Sequence, residues 1–442
     1  MKSMKIKLTI FTLLIGISSF SQTKKWSLME CVTHAVENNI SVKQGENTLL
    51  LNEQDIKAAK GNFLPSFGAS VSQNLSFGQT ELFPGQFIDR TSYSAGFSLG
   101  LSQTVFNGFR NTYFAKQAQL TKETNELELN RIRDDISLNV ANSYLNILFN
   151  KERLDVAKAQ YEFSQKQLEQ IQQLVDSGVQ PRADIYDAEA TLSNDAQAVT
   201  VAQNNYNLAL LSMSQLLQVQ FEGFDVEVIE IDTPSAELMY SDIKPILNYV
   251  LTNRNEIKVA EKNIENAELN IEISKGGYYP SVSASYGFGT NAFFTNLTDT
   301  EASFFNQLND NKGHSIGLNL SIPIFSRFQN KTSVAKSKIQ VENSKLRLEQ
   351  AKLDLESIIQ RAFTDAQAAL KTYVAAQKSL ASQQLAFDNA KDRYDLGNMN
   401  AFDLEQVRIR LINAQSSLIN AKYDFVFKTK VLDFYLGKQI TF

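Results

Sequence analysis

Few residues of this chain form a combination that could catalyse a reaction or bind a metal ion. Cys31 is the only cysteine, which excludes an intrachain disulfide and a cysteine-based metal cluster. His34 lies on a predicted N-terminal helix and is interpreted as structural, whereas His314 opens a predicted strand and is interpreted as interfacial. Gly287-Phe288-Gly289 fits a strand face, not a phosphate-binding loop. The chain is therefore predicted to be no enzyme and to use no cofactor or metal.

The N-terminal segment differs from the rest of the chain and predicts a cleaved signal peptide over residues 1–21. A basic start precedes the apolar run Leu8–Ile17. Ser19 and Ser21 then provide small residues at the two positions that signal peptidase recognises before a cleavage site. The run is too short to span a bilayer as a helix. Cleavage before Gln22 would change the formal net charge from −5 to −8, because three lysines are lost. An acidic exported chain is not expected to bind nucleic acid, which requires excess Lys and Arg.

Two copies of one unit make up most of the chain. Residues 60–66 (KGNFLPS) match residues 275–281 (KGGYYPS) at an offset of 215, and residues 176–178 match residues 395–397 at an offset of 219. The second copy is therefore longer between its two predicted strands. The predicted organisation is repeat 1 over 22–218, a connector with one short strand over 219–240, and repeat 2 over 241–442.

Each repeat contains a pair of segments in which apolar residues alternate with serine, glycine and asparagine. In the first segment Phe67 and Val71 alternate with Ser70 and Ser72. A soluble sheet is the alternative, but soluble sheets place charged residues on the wet face, and these segments hold almost no charge. The pattern favours four transmembrane β-strands per chain. Because small barrels need about eight strands, several copies must associate. The strands are predicted at about 66–77, 93–103, 281–290 and 314–322.

The rest of the sequence predicts long helices. Neither glycine nor proline occurs from Phe109 to Ser177 or from Ile324 to Leu396, and each run could form a helix of roughly 100 Å. Narrow apolar stripes, such as Ile136, Val140 and Tyr144, indicate antiparallel helices packed as in a coiled coil rather than around a globular core. Each repeat is predicted to begin with a helix before its strands. The long and return helices are predicted at about 105–177, 184–217, 324–396 and 403–436.

The order of these features resembles the TolC family of outer-membrane efflux proteins, also called outer membrane factors. The resemblance covers residues 26–437 and rests on the signal peptide, the doubled helix–proline–strand–strand–helix unit and the Gly-to-Asp turns at 178–184 and 397–403. It implies a mixed α/β membrane protein of the bacterial outer membrane. Its trimer would form a twelve-stranded β-barrel continuous with a twelve-helix periplasmic α-barrel, and the connector would lie in an equatorial belt.

The resemblance also implies roles for the turns. Pro65 and Pro280 would redirect the chain from helix to strand, in agreement with the tendency of proline to end a helix. A periplasmic membrane-fusion adaptor would dock at the helical tips. In the second tip, Asn398 departs from the small or hydroxylic residue usual in the family. The tip positions are Gly178 and Val179 in repeat 1 and Gly397 and Asn398 in repeat 2.

The family's entrance gate maps onto Asp184, Tyr394 and Asp403. Asp184 and Tyr394 match a gate network, and Asp403 matches an acidic ring that narrows the lumen. Met399 replaces a basic residue that often joins the network, and Gln406 replaces a second acidic ring, so neither a charge-locked gate nor strong cation selection is implied. The alternatives are ordinary helix packing for Tyr394 and helix-dipole stabilisation of about 0.3–1 kcal/mol for each aspartate.

The function implied is that of a passive exit duct in a tripartite efflux or type I secretion system. A homotrimer would receive drugs, metal ions or secreted polypeptide from an inner-membrane pump of the RND or ABC type through the adaptor. One alternative stays open, an outer-membrane-anchored coiled-coil protein with a structural or adhesive role. A periplasmic adaptor is disfavoured because the sequence shows four Ser/Gly-faced strands and no lipoyl-like β-domain.

Overall fold

The computed structural model describes residues 25–229, 242–298 and 302–438. The predicted signal peptide and residues 230–240 of the connector lie outside this range. Contacts along the chain divide the protein into two compact units. The helical unit comprises the described parts of Met1–Gly45, Leu129–Ile257 and Lys352–Phe442, and the strand unit comprises Glu46–Glu128 and Lys258–Ala351.

The first repeat begins with two helices separated by one extended residue. The first helix starts with a capping box, in which the Ser27 hydroxyl accepts the backbone N–H of Glu30 at 3.3 Å and the Glu30 carboxylate accepts that of Ser27 at 3.0 Å. It ends at Asn39, whose φ of −60° and ψ of 135° interrupt the helix. In chain order the elements are β1 (Lys25–Trp26), α1 (Leu28–Asn38), α2 (Ile40–Gly61), β2 (Ser66–Phe83), β3 (Gln86–Asn107), α3 (Arg110–Asp176) and α4 (Ala183–Leu217).

The second repeat has the same order, with one additional short helix between its strands. Arg254, at the position that corresponds to Asn39, again interrupts the first helix with an extended backbone at φ −68° and ψ 141°. The elements are β4 (Asp225–Val226) in the connector, then α5 (Lys244–Asn253), α6 (Asn255–Lys275), β5 (Ser281–Thr295), α7 (Phe304–Asp310), β6 (Gly313–Ser321), α8 (Gln329–Asp395) and α9 (Ala401–Tyr435).

A four-stranded antiparallel sheet, in the order β2-β3-β5-β6, dominates the strand unit. Phe67 pairs with Leu101, so that residues of like polarity share a face. The apolar face is open, with Phe67 72% and Ile316 87% exposed. On the opposite face serine hydroxyls bond across the strands, as between Ser70 Oγ and Ser98 Oγ at 2.7 Å. Within the described residues, β2 and β6 each leave one edge without a partner strand.

The β2–β3 hairpin is longer than the sequence pattern predicts. The predicted strand bounds, about 66–77 and 93–103, leave 78–92 as a loop, but the two strands remain paired as far as a turn at Pro84-Gly85, where Gly85 has φ +84°. Apolar alternation ends near Phe77, whereas backbone pairing needs no apolar side chain and continues through Gln79 and Asp89. β5 likewise continues beyond residue 290 to Thr295.

Each strand pair joins its long helix through two residues with left-handed backbone. Gly108 and Phe109 have φ of 68° and 63°, and Arg327 and Phe328 have φ of 47° and 64°. The helices therefore begin later than predicted, α3 at Arg110 rather than about 105 and α8 at Gln329 rather than about 324. In repeat 1 the reason is that β3 stays paired with β5 as far as Asn107.

Apolar stripes pack the helical unit together. On α3, Val140 and Tyr144 are fully buried, and on α8 Ile359 is fully buried, which confirms the predicted stripes as packing faces. The Tyr144 hydroxyl donates to the carbonyl of Glu227 at 2.6 Å and so attaches the connector to α3. β1 and β4 form a two-stranded parallel sheet. No helix in the described part of the chain has both the length and the apolar character needed to cross a membrane.

Candidate channel entrance at the helical tips

Both long helices end in the same turn. After α3, Gly178 has φ +76° and Val179 N–H donates to Leu174 O at 2.9 Å. After α8, Gly397 has φ +75° and Asn398 N–H donates to Arg393 O at 2.7 Å. These bonds satisfy the terminal carbonyls, and glycine tolerates the left-handed backbone that they require. The turns leave the Val179 side chain 69% exposed at the tip.

The two aspartates of the predicted entrance gate lie in different surroundings. Asp403 is exposed in the first turn of α9, where its N–H donates to Asn400 Oδ1 at 2.8 Å and its carboxylate accepts Asn400 Nδ2 at 3.0 Å. Asp184 is half-buried in the first turn of α4, and no side chain caps that helix. The helix-dipole alternative is therefore compatible with both positions.

Tyr394 is packed in an apolar cluster with Phe387, Leu404, Val407 and Leu411. Its hydroxyl is buried and has no hydrogen-bond partner among the described residues. Met399 packs against the same cluster, which gives a physical reason for an apolar residue at this position. Within one chain, the described hydrogen bonds do not link Tyr394 to Asp184 or Asp403.

One cavity lies close to the predicted gate. It has a volume of about 270 Å³, lies between α3, α4 and α9, and is lined by Asp184, Asp187, Phe402 and Glu405 among others. From α9, Phe402 and Glu405 line the cavity together with Asp184, whereas Asp403 does not line the cavity. Of the two aspartates of the predicted gate, the structure thus places Asp184 at this cavity and Asp403 outside its lining.

A buried ion cluster near this cavity was missed by the sequence reasoning. Arg408 on α9 donates through Nη1 to Asp195 Oδ2 on α4 at 2.9 Å and to Ser164 Oγ on α3 at 3.2 Å. Its Nε and Nη2 donate to the Glu405 carboxylate at 2.7 and 2.9 Å. The Ser164 hydroxyl also donates to Asp195. The cluster joins three helices, two from the first repeat and one from the second.

The charge of Arg408 is maintained by its partners. Burial alone would lower the pKa of the guanidinium, but the hydrogen bonds to Glu405 and Asp195 outweigh it and raise the pKa above its usual value. The sequence did contain a feature that could have revealed this cluster. Arg408 lies on the apolar stripe formed by Leu404, Val407 and Leu411, where a charged residue is out of place unless it is paired.

The two helix-to-strand prolines belong to the strand unit. Pro65 and Pro280 each precede the first residue of a strand, Ser66 of β2 and Ser281 of β5. Before Pro65, α2 ends at Gly61, and the Gln103 side-chain amide donates to the carbonyl of Phe63 at 3.1 Å. Before Pro280, a short 3₁₀ turn covers Gly276–Tyr278.

Residues 32–218 and 246–438, one segment from each repeat, match the family model for outer membrane efflux proteins. The chain belongs to the outer membrane efflux protein family. Outer membrane protein TolC of Salmonella enteritidis is 22% identical over 430 residues, which cover 96% of this chain and 84% of TolC. The predicted TolC-type family is therefore confirmed.

Two solved structures share the fold of this chain. The structure of CusC has a TM-score of 0.76 at 18% identity and covers 95% of this chain and 96% of CusC. That of VceC from Vibrio cholerae has a TM-score of 0.73 at 17% identity and covers 94% of this chain and 97% of VceC. As a member of this family, the chain is an efflux channel protein of the bacterial outer membrane.

Proposed function

We propose that three copies of this efflux protein form the exit duct of a tripartite efflux or type I secretion system. In this arrangement the twelve strands of the trimer close a barrel in the outer membrane, and the helices line a periplasmic tunnel. Substrate passes from an inner-membrane pump through a periplasmic adaptor into this duct. The chain itself supplies no energy and holds substrate loosely.

The sheet of the strand unit is the observation that carries this proposal. Its apolar face is exposed, its opposite face carries serine and glycine, and within the described residues each of its two outer strands has a free edge. An open apolar face of this kind needs lipid or a partner to cover it, and free backbone edges in lipid need a partner strand. Closure with further copies satisfies both requirements, because small barrels need about eight strands and one chain has four here.

The decisive experiment measures assembly and conduction together. Purified protein should run as a trimer in light scattering and should conduct ions in planar bilayers. A protein that is monomeric in detergent and conducts no ions would contradict the proposal. Protease shaving of intact cells tests the adhesive alternative, because periplasmic helices should be protected whereas an adhesive coiled coil should be cleaved at the cell surface.

The tips are the second part of the proposal. Gly178 and Val179 of one turn and Gly397 and Asn398 of the other would receive the adaptor, and the exposed Val179 side chain supports this role. Val179→Cys should therefore crosslink to the adaptor in cells. Val201→Cys is the matched control, because Val201 is also exposed but lies in the middle of α4. Equal crosslinking at both positions would contradict docking at the tips.

The entrance gate is the third part. Asp184, Tyr394 and Asp403 are proposed to line or control the mouth of the trimer, with Pro65 and Pro280 directing the chain into the barrel. The Tyr394 hydroxyl is buried and has no partner in the described part of the chain, which supports a role in which a group from another copy completes its hydrogen bonding. Because Met399 is apolar and packed, this gate would depend on packing and hydrogen bonding instead of a basic lock.

A further inference from the structure

The short helix α7 covers the part of β5 that β6 does not reach. The last residue pair between β5 and β6 joins Gly289 to Gly313, while β5 continues to Thr295 and remains paired there with β3. Residues 290–295 would thus present a free backbone edge. Side chains of α7 and of the residue after it satisfy two of its backbone groups: Gln307 Oε1 accepts the N–H of Phe293 at 2.8 Å, and Asn311 Nδ2 donates to the carbonyl of Asn291 at 2.7 Å.

The helix also extends over the apolar face of the sheet. Thr290 lies two residues beyond Phe288 and shares its face, because side chains alternate along a strand. Its hydroxyl donates to the carbonyl of Leu308 in α7 at 2.5 Å. On the same face Ala292 is completely buried, and Ala95 opposite it is nearly so. Small residues at this point leave room for a helix on a face that is open further along.

α7 places one aromatic side chain, that of Phe305, on its outer side. The Gln307 side chain points towards the protein, where it accepts the backbone N–H of Phe293 in β5. Phe305 points away from the sheet and is 79% exposed, whereas the other two apolar residues, Phe304 and Leu308, are half-buried. The exposed polar residues beside Phe305 are Asn306, Asn309 and Asp310. An exposed phenylalanine bordered by polar side chains, on a helix that packs against the apolar strand face, fits the boundary between acyl chains and headgroups.

We propose that α7 is an interfacial helix whose outer side, centred on Phe305, is immersed in the outer leaflet at the boundary between headgroups and acyl chains. The inference rests on the proposed function, in which the apolar strand face meets lipid. It adds that this lipid-facing surface continues from the strands onto α7. Amphipathic helices at this depth lie about 5–10 Å into the boundary region, and aromatic side chains are common there.

Depth-dependent quenching of single tryptophans tests the proposal. The chain has one tryptophan, Trp26, so Trp26→Phe provides a background free of tryptophan. Phe305→Trp is made in this background, together with Ile316→Trp on the open strand face and Phe402→Trp on α9, whose side chains are 87% and 70% exposed. Each protein is reconstituted into dioleoylphosphatidylcholine vesicles with and without acyl-chain-brominated lipid, and the emission is compared.

We expect brominated lipid to quench the emission of Phe305→Trp and Ile316→Trp and to leave the emission of Phe402→Trp unchanged. Quenching of Ile316→Trp alone, with water-like emission from Phe305→Trp, would overturn the inference and leave the proposed function intact. Blue-shifted but unquenched emission from Phe305→Trp would overturn it in favour of contact with a second copy of the chain. Absence of quenching at Ile316→Trp would overturn the proposed barrel, and the inference with it.

Discussion

Arg408 shows how a single buried charge can connect distant parts of the chain. It lies among apolar residues, yet it meets one carboxylate on its own helix and another on α4. A buried ion pair pays a large desolvation penalty, so an apolar pair of similar volume is often as stable. We therefore interpret the cluster as favouring one arrangement of the three helices over others. Its contribution to the free energy of unfolding can be tested.

Arg408→Met should lower the free energy of unfolding by about 3–5 kcal/mol, because Asp195 would remain buried without its cation. The double variant Arg408→Met/Asp195→Leu should recover most of this loss. Urea unfolding followed by helical circular dichroism provides the measurement. Lys391→Met is the control, since the Lys391–Asp395 pair is exposed and such pairs contribute about 0.3–0.5 kcal/mol. An equal effect of Arg408→Met and Lys391→Met would contradict the interpretation.

Cys31 provides a second test at the level of a residue. Its side chain is fully buried, and burial, with a smaller contribution from Glu30, raises the pKa of the thiol to about 12. A maleimide reagent at pH 8 should therefore leave the native protein unlabelled and should label it in denaturant. Val179→Cys, at an exposed tip, is the control and should react in the native state.

The raised pKa of Cys31 also predicts a pH dependence of stability. Between the ordinary thiol range and pH about 12, the unfolded chain releases a proton that the folded chain keeps. The unfolded state then binds fewer protons, so the free energy of unfolding falls as the pH rises through this window. Cys31→Ala should show a smaller decline than the parent protein in urea titrations at increasing pH.

At the level of elements, two glycines in left-handed turns are required for different reasons, one for its backbone conformation alone and one also for space. Gly108, between β3 and α3, has φ +68°, and a Cβ added there would overlap the carbonyl oxygen of Gly276. Gly178, after α3, has φ +76°, but a Cβ there would meet nothing within 4 Å. Both glycines relieve backbone strain, and only Gly108 also allows two backbones to approach.

Alanine at these two glycines should therefore destabilise to different degrees. Gly178→Ala should cost about 1–2 kcal/mol, the penalty of a left-handed backbone for a residue with a Cβ. Gly108→Ala should cost clearly more, because the contact with Gly276 must also be broken. Thermal unfolding of both variants in the same detergent measures the difference. If the two variants unfold at the same temperature, the close approach of Gly108 to Gly276 does not contribute to stability.

At the level of the whole molecule, the proposed trimer would multiply each exposed charge by three. Asp403 is exposed and partly held by Asn400, so three copies could form a ring at the entrance. Asp403→Asn keeps the shape and removes the charge, and it should lower the cation preference measured as a reversal potential in a salt gradient. Asp403→Glu keeps the charge and should retain the preference. An unchanged reversal potential in Asp403→Asn would exclude Asp403 from the ring.

Much of the architecture was predictable because it depends on local periodicity. Alternation of Phe67 and Val71 with serines identifies a strand with two unlike faces, and burial of Val140 and Tyr144 confirms the helical stripe. The position at which a strand ends depends less on local sequence and more on the neighbouring strands. β3 continues past the predicted bounds because pairing with β2 and β5 stabilises its backbone, whatever side chains it carries.

By itself, the sequence determined the doubled unit, the polarity of each strand face and the long helices, since each follows from how side chains point from their own element. The tertiary structure alone decided which distant groups meet. Arg408 and Asp195 are 213 residues apart in sequence, and the contact of α7 with β5 depends on where β6 ends. Such contacts arise when elements pack together, because burial then makes a charge or a free backbone edge costly unless a partner is brought to it.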